Sequence, residues 1–329
     1  MIRFLVRRLI AVAVILLVVC AITFVIFYTI PADPAVLTCG RACTPERIQE
    51  INHLLGLDQP LWRQFGDYLM GIFAGRTYGT GELAVQCPFP CLGFSFQNNL
   101  PVWDVLMDRL PVTASISVGA AVLWVALGVG AGVVSALRRG TVWDRGAMVM
   151  ALSGVSLPIY FTALAMLYVF TVKLELLPFP SYVSITESPL RWALGMVMPW
   201  VALAFLFSAL YARLTRTSML DTMSENYIRT ARAKGLPERN VVVKHGMRAA
   251  LTPVITIFGI DLGQLLGGAV ITETVFGLPG IGQLTWQAIG RADQPVVLGV
   301  TLFAAFFIVL ANLVVDVLYA VLDPRVRYA

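Results

Sequence analysis

The residues able to do chemistry are few in this chain, and their spacing narrows that chemistry further. Its two histidines, His53 and His245, lie far apart and leave little material for a histidine-based site. Cys39 and Cys43, then Cys87 and Cys91, form two C-x3-C pairs within one polar segment. In an oxidising compartment such thiols pair as two disulfides, with three connectivities open. A zinc or iron–sulfur site is the alternative. Proline brackets one pair and an arginine lies inside the other, which suits loop staples better than a metal site. Cys20 sits in an apolar run as a packing residue. Asp261, Asn312 and Asp316 interrupt apolar runs, and Glu273 follows the end of one. An Asp at mid-membrane costs about 2.5–3.5 kcal/mol on insertion scales, so it faces protein or water. Asp261 and Glu273 are candidate translocation-path residues, with proton relay as one version of that role. The competing use is a buried hydrogen bond tying the last two apolar runs together, a reading that fits Asp316 best.

Other chemistry is missing. G-x4-G-K-[ST] occurs nowhere, no serine nucleophile elbow is evident, and no helix face carries a pair of metal ligands. Gly128, Gly130 and Gly132 lack the spacing and following acid of a dinucleotide fingerprint. Gly128 and Gly132, four apart, suit a small-residue face for helix packing. Any energy source must come from another chain or from an ion gradient.

The elements that hold these residues belong to a membrane. Of 329 residues 58% are hydrophobic and 13% charged, against about 25% charged in soluble domains, so the lipid bilayer is this protein's solvent. The net charge of +5 does not point to nucleic acid, because the basic residues cluster beside apolar runs without a reading motif. Six runs reach the roughly 20 residues a crossing needs: Leu9–Ile30, Thr113–Leu137, Ala147–Thr171, Trp192–Leu214, Leu251–Thr272 and Val296–Leu322. The first is too long for a signal-peptide core and lacks a cleavage site, so it reads as an anchor. With the N-terminus inside, 16 of the 24 Lys and Arg fall on cytoplasmic segments, which places both termini in the cytoplasm. The linear divisions are then an anchor over 1–30, an external segment over 31–110, and a five-helix core over 111–329. In the external segment Thr44-Pro45 opens a helix with Ile48, Ile51 and Leu55 on one face and Gly56 at its end. A second amphipathic stretch runs from Leu61 to Phe73. Residues 76–94, rich in Gly, Pro and Phe, read as a loop. A further amphipathic stretch spans Leu284–Ile289.

The longest charged interruption, about 215–250, contains Tyr227-Ile228-Arg229-Thr230-Ala231-Arg232-Ala233-Lys234-Gly235. Tyr227, Ile228 and Ala231 share a face, Thr230 and Lys234 lie beside it, and Gly235 takes the left-handed conformation that ends a helix. So short a helix is unstable alone and needs a surface to dock on. Attraction of its basic residues to anionic lipid is the plainer use.

This stretch, with Leu236, His245 and Leu251-x-Pro253, resembles the EAA loop of permease subunits of binding-protein-dependent ABC importers. The likeness is to the peptide and nickel permease group, in its dipeptide/oligopeptide B-type branch. Supporting stretches fall in the family's order: Pro31-Ala-Asp-Pro34, Leu55-Gly-Leu-Asp58-x-Pro60, Arg109-Leu-Pro111, Ala212 to Met219, Glu273-x3-Gly277-x2-Gly280-x-Gly282, Asn312-Leu-x2-Asp316 and Asp323-Pro-Arg325. The eponymous glutamate is absent, with Arg229 near its place. Asn226 stands where an acid is common and Ala249 where asparagine is frequent, and 76–94 looks like an insertion.

The resemblance implies an all-α integral membrane protein of the type I ABC importer permease fold, with six transmembrane helices and both termini cytoplasmic. It implies a non-catalytic subunit, multi-pass in the inner membrane. It would form the path with a second homologous permease, bind two ATP-binding subunits and receive short peptides from an external substrate-binding protein. Residues 227–235 would then dock on the ATPase. ATP and Mg would be bound by those partner subunits, and no cofactor or metal by this chain. The rival is a proton-coupled secondary transporter using Asp261 and Asp316 as carriers.

Overall fold

Backbone N–H and C=O groups in hydrocarbon find no water, so a crossing segment must satisfy them internally, as a helix does. A computed structural model describes residues 2–29, 44–46, 48–49, 52, 58–78 and 84–322. In chain order the main elements begin with α1 (Ile2–Thr29), α2 (Leu61–Ala74) and the strands β1 (Arg76–Tyr78), β2 (Val85–Cys87), β3 (Phe94–Ser95) and β4 (Leu100–Pro101). Then come α3 (Val102–Leu137), α4 (Val142–Ser156), α5 (Ile159–Met166, continued as a π-helix over Leu167–Lys173), α6 (Pro189–Ser224) and α7 (Asn226–Ala233). After a short helical stretch over 238–250 follow α8 (Thr252–Leu266), α9 (Val270–Phe276), α10 (Ile281–Arg291) and α11 (Gln294–Leu322). Pro31–Pro34, Cys39, Cys43, His53, the Ile51, Leu55 and Gly56 positions of the expected first external helix and Asp323–Arg325 lie outside the described residues.

Among the described residues four helices are long and apolar enough to cross a membrane: Val6–Ile26 of α1, α3, α6 and Gln294–Val317 of α11. Two bent pairs, α4 with α5 and 238–250 with α8, bring the number to six if each is one span. Both differ from the uninterrupted runs expected. The third breaks at Leu157, which is extended (φ −92°, ψ 125°) because the ring of Pro158 disfavours helix at the residue before it. The fifth stops at Leu266, where Gly267 and Gly268 remove helix propensity. With 15 residues α8 rises about 22 Å, short of the roughly 30 Å hydrocarbon core, so α8 alone does not complete a crossing. The second and fourth expected runs are cores of longer helices. Pro111 sits inside α3, and α6 continues ten residues past Leu214 to Ser224.

The chain folds as two compact units. One takes residues 1–113, 266–270 and 279–310. Phe24 of α1, Tyr68 of α2, Val102 and Leu106 of α3, Ile281 and Leu284 of α10, and Val296 and Phe303 of α11 share its core. The Tyr68 hydroxyl donates to the carbonyl of Leu92 at 3.2 Å, and the Ile281 N–H donates to Thr113 Oγ1 at 2.8 Å. Within the stretch expected as a loop and at its end, residues 76–78, 85–87 and 94–95 form short strands. β1 pairs antiparallel with β2, with Arg76 opposite Cys87 and Tyr78 opposite Val85, and β3 pairs with β4. A disulfide joins Cys87 to Cys91, and Tyr78, Phe94 and Phe96 pack beside it. Glycine and proline hid the strands, because each is only two or three residues long and too short to show alternation.

The other unit takes 114–265, 271–278 and 311–329. Here α3 lies against α6 through Gly128 and Gly132, as the four-residue spacing predicts. A Cβ on Gly128 would stand 2.7 Å from Tyr211 Cβ, and one on Gly132 would stand 2.6 Å from the carbonyl oxygen of Ala212. Gly130 faces open space. The indole N–H groups of Trp192 and Trp200 donate to Ser115 Oγ (3.1 Å) and to its carbonyl (2.8 Å).

Asp293, just before α11, is buried with the β3–β4 hairpin. Ser95 Oγ donates to its Oδ2 at 2.5 Å and Asn98 Nδ2 at 3.3 Å, while Gln97 Nε2 donates to the Arg291 carbonyl at 2.8 Å. Burial raises the Asp293 carboxyl above the usual carboxylate range, against the opposing pull of the Ser95 hydrogen bond. With the folded value the higher one, this contribution to stability is fully present below the ordinary carboxylate pKa and lost as pH rises through the folded value. Hydrogen exchange at residues 94–101 should therefore quicken as pH climbs through that window, after correction for intrinsic exchange. Asp293→Asn, which keeps the shape, should flatten the dependence.

Candidate coupling site and membrane carboxylates

Helix α6 ends at Ser224, and extended Glu225 (φ −66°, ψ 149°) turns the chain into α7. The close of α7 is a Schellman motif: Gly235 N–H donates to the Arg232 carbonyl at 2.9 Å and Leu236 N–H to the Ala231 carbonyl at 3.4 Å. Gly235 sits at φ +75°, the left-handed region the sequence predicts for it. Beyond it Arg232 holds Glu238 through Nε (3.1 Å) and Nη2 (2.7 Å). Both partners are exposed, so the pair shapes the turn more than it stabilises it.

The structure decides which face of α7 is presented outward. Ile228 and Ala231 are buried against Val241, with Met223 packed beside them, all within this chain. Tyr227 is 45% exposed, and Arg229, Thr230, Arg232, Ala233 and Lys234 are exposed as well. The docking surface this short helix needs is thus supplied first by the chain itself, through the π-helical stretch Val241–Gly246. Helical spacing showed that Ile228 and Ala231 share a face but not what covers it. A neighbouring cluster, Met219 of α6 with Ala136 of α3, Val242 and Ala250, seats the 241–250 stretch on two long helices.

One group beside this platform escaped the sequence reading. Asp144, at the start of α4, is buried and accepts from Arg216 of α6 through Nε (2.7 Å) and Nη2 (3.0 Å), from Gly140 N–H (2.9 Å) and from the Ser135 hydroxyl. The signal was present as the one acid among Arg138, Arg139 and Arg145 in a short loop. This fork ties the α3–α4 turn to α6 ten residues before α7 begins.

The carboxylates are held apart in use. Tyr211, fully buried on α6 beside Trp124, donates its hydroxyl to Asp261 Oδ2 at 2.8 Å. Asp261 therefore binds α8 to α6, the fourth expected span, instead of the fifth to the sixth. Glu273 is fully buried within α9, closed off from solvent, and its carbonyl accepts Leu278 N–H at 2.9 Å. Asn312 is exposed and Asp316 half-buried on α11. With Cys87 and Cys91 oxidised to each other, neither is available as a thiolate ligand.

Broken spans, long continuous helices and a helical platform on one connecting loop fit the membrane component of a transporter. The chain belongs to the binding-protein-dependent transport system inner membrane component family, whose model matches residues 128–328, and the family's N-terminal model matches residues 1–117. It is 39% identical to a putative peptide transport system permease protein of Brucella abortus, over 95% of each chain. It is 35% identical to the dipeptide transport system permease protein DppB of Escherichia coli K12, over 100% of this chain and 99% of that one. With DppB of Alkalihalophilus pseudofirmus the identity is 34%, over the whole of both chains. Among solved structures, a chain of the inward-facing MetNI methionine ABC transporter aligns with TM-score 0.51 and 18% identity, covering 67% of this chain and 97% of that chain. The fold is that of a type I ABC permease, and the protein is a multi-pass inner-membrane subunit.

Two outcomes follow from the packing. Ile228→Ala should loosen α7 by about 2–5 kcal/mol, read as faster hydrogen exchange across 226–236, while Tyr227→Ala leaves that exchange unchanged. Asp144→Ala strands the Arg216 guanidinium, so it should lower the melting temperature more than the double change Asp144→Ala with Arg216→Ala.

Proposed function

We propose that this chain is the B-type permease of an ATP-driven importer of dipeptides and oligopeptides. It pairs with a second, homologous permease, takes substrate from an external binding protein and engages two cytoplasmic ATPases. Those ATPases bind ATP and Mg, and this chain holds no cofactor or metal of its own. Its N- and C-termini lie in the cytoplasm, in keeping with the Lys and Arg distribution. The peptide class rests on the relatives named above. The coupling role rests on α7, a capped helix seated on its own chain and showing Tyr227, Arg229, Thr230, Ala233 and Lys234 outward.

The mechanics follow from stiffness. A helix of 36 residues ends at Ser224, one extended residue (Glu225) before α7, and carries Arg216, Tyr211 and the Gly128–Gly132 contact, so beyond that single link a displacement of α7 reaches Asp144 and Asp261 through continuous helix. Closure of the ATPases would pull α7, and α6 would carry that motion into the path. Asp261 and Glu273 are the path residues proposed here, Asp261 with its orientation set by Tyr211.

The test uses the complete transporter in proteoliposomes. Gly235→Val forces a β-branched residue into the left-handed region at roughly 1–2 kcal/mol, with open space around the new Cβ, so strain acts without a clash. Insertion should persist while peptide-stimulated ATP hydrolysis is lost. Wild-type stimulation in this variant would remove the coupling role. Labelled dipeptides and oligopeptides should enter only with ATP, whereas uptake driven by a proton gradient without ATP would point to secondary transport.

A further inference from the structure

Helix α2 is apolar on two sides, and among the described residues only one side is used. On its inner side Gln64, Tyr68 and Gly71 are buried, and Phe65, Leu69 and Ile72 pack on the core. Phe24 of α1 packs tilted against Phe65 and Tyr68 with ring centroids 5.4 and 5.7 Å apart. On the outer side Trp62, Gly66, Met70 and Phe73 recur at helical spacing. Trp62 is 75% exposed, Met70 63% and Phe73 75%, and a Cβ on Gly66 would meet nothing. Such a stripe facing water would be an unprotected apolar patch.

The packing fixes the depth of this helix. Phe24 lies two residues inside the end of the span Val6–Ile26. The same core takes in Val102 and Leu106 from the first turns of α3, and Val296 to Phe303 from the first turns of α11. So α2 lies level with the ends of three membrane-crossing helices. Next to the Phe24 contact, Ile22, Val25 and Ile26 of α1 are themselves exposed, and α2 adjoins an apolar surface that already belongs to the bilayer. A tryptophan at this boundary, with Arg63 beside it to reach the headgroups, matches the belt that anchors proteins at the interface.

We infer that α2 is an interfacial helix whose Trp62, Met70 and Phe73 insert into lipid in the leaflet where α1 ends. It would act as a float that holds the disulfide-closed hairpin segment at the membrane surface. This rests on the membrane location of the chain and not on its substrate or its coupling to ATP.

A fluorescent amino acid placed singly at 62, 70 or 73 in the assembled transporter, in lipid nanodiscs, tests it. All three positions are exposed, so a large aromatic is accommodated, and ATP-driven uptake in the same preparation verifies assembly. Lipids brominated near the headgroup should quench the probe at all three positions and aqueous iodide should not, with the reverse at exposed Thr77 on β1. Quenching by iodide at 62 and 73 would overturn the inference. So would insensitivity to both quenchers together with photo-crosslinks from the same positions to the second permease or the binding protein.

Discussion

The rest of this structure depends on one constraint: in hydrocarbon, each backbone amide must be satisfied within the protein. It makes helices of the apolar runs, and it confines the irregular backbone to a few places. Two of these interrupt the apolar runs, at Leu157–Pro158 and at Gly267–Ala269. The second lies between Asp261, held by Tyr211, and Glu273, fully enclosed. A broken helix frees backbone groups and an acid carries charge, so both are tolerated at membrane depth only where protein or water covers them.

On the α6–α8 connection, packing resolves the problem of a helix too short to persist. Helix α7 gains its stability from Val241 and Met223 of its own chain, so its outward face is preformed without a partner. A preformed surface lowers the ordering cost of association. Its position at the end of α6 gives it mechanical reach. The Asp144–Arg216 fork, buried and doubly hydrogen-bonded, is costly to break by removing one partner. It therefore ties the α3–α4 turn to α6.

The unit that contains α1, α2 and α10 works by different means. Its hairpins are too short to be stable as isolated ladders. The Cys87–Cys91 bridge, the Tyr78–Phe94–Phe96 cluster and the buried Ser95–Asp293 contact hold them down. The last of these fastens the hairpin to the beginning of α11.

Much of this was legible in the sequence for a simple reason. Apolar run length and charge are local properties, and the bilayer imposes them directly. That is why the membrane class, the long helices, the α7 boundaries with Gly235 at its end, the Gly128–Gly132 face and the α2 and α10 stretches could all be read. Resemblance carried the family. Breaks by Pro158 and Gly267–Gly268 were visible as residues but were absorbed into longer apolar averages, and strands of two or three residues show no period. Partners across the fold could not be read at all. Tyr211 for Asp261, Arg216 for Asp144 and Asp293 for Ser95 lie 50, 72 and 198 residues away, and nothing local encodes such pairings. The same holds for the face of α7: periodicity places Ile228 and Ala231 together, and only tertiary packing decides that they point inward at Val241, leaving Tyr227, Arg229 and Ala233 outside.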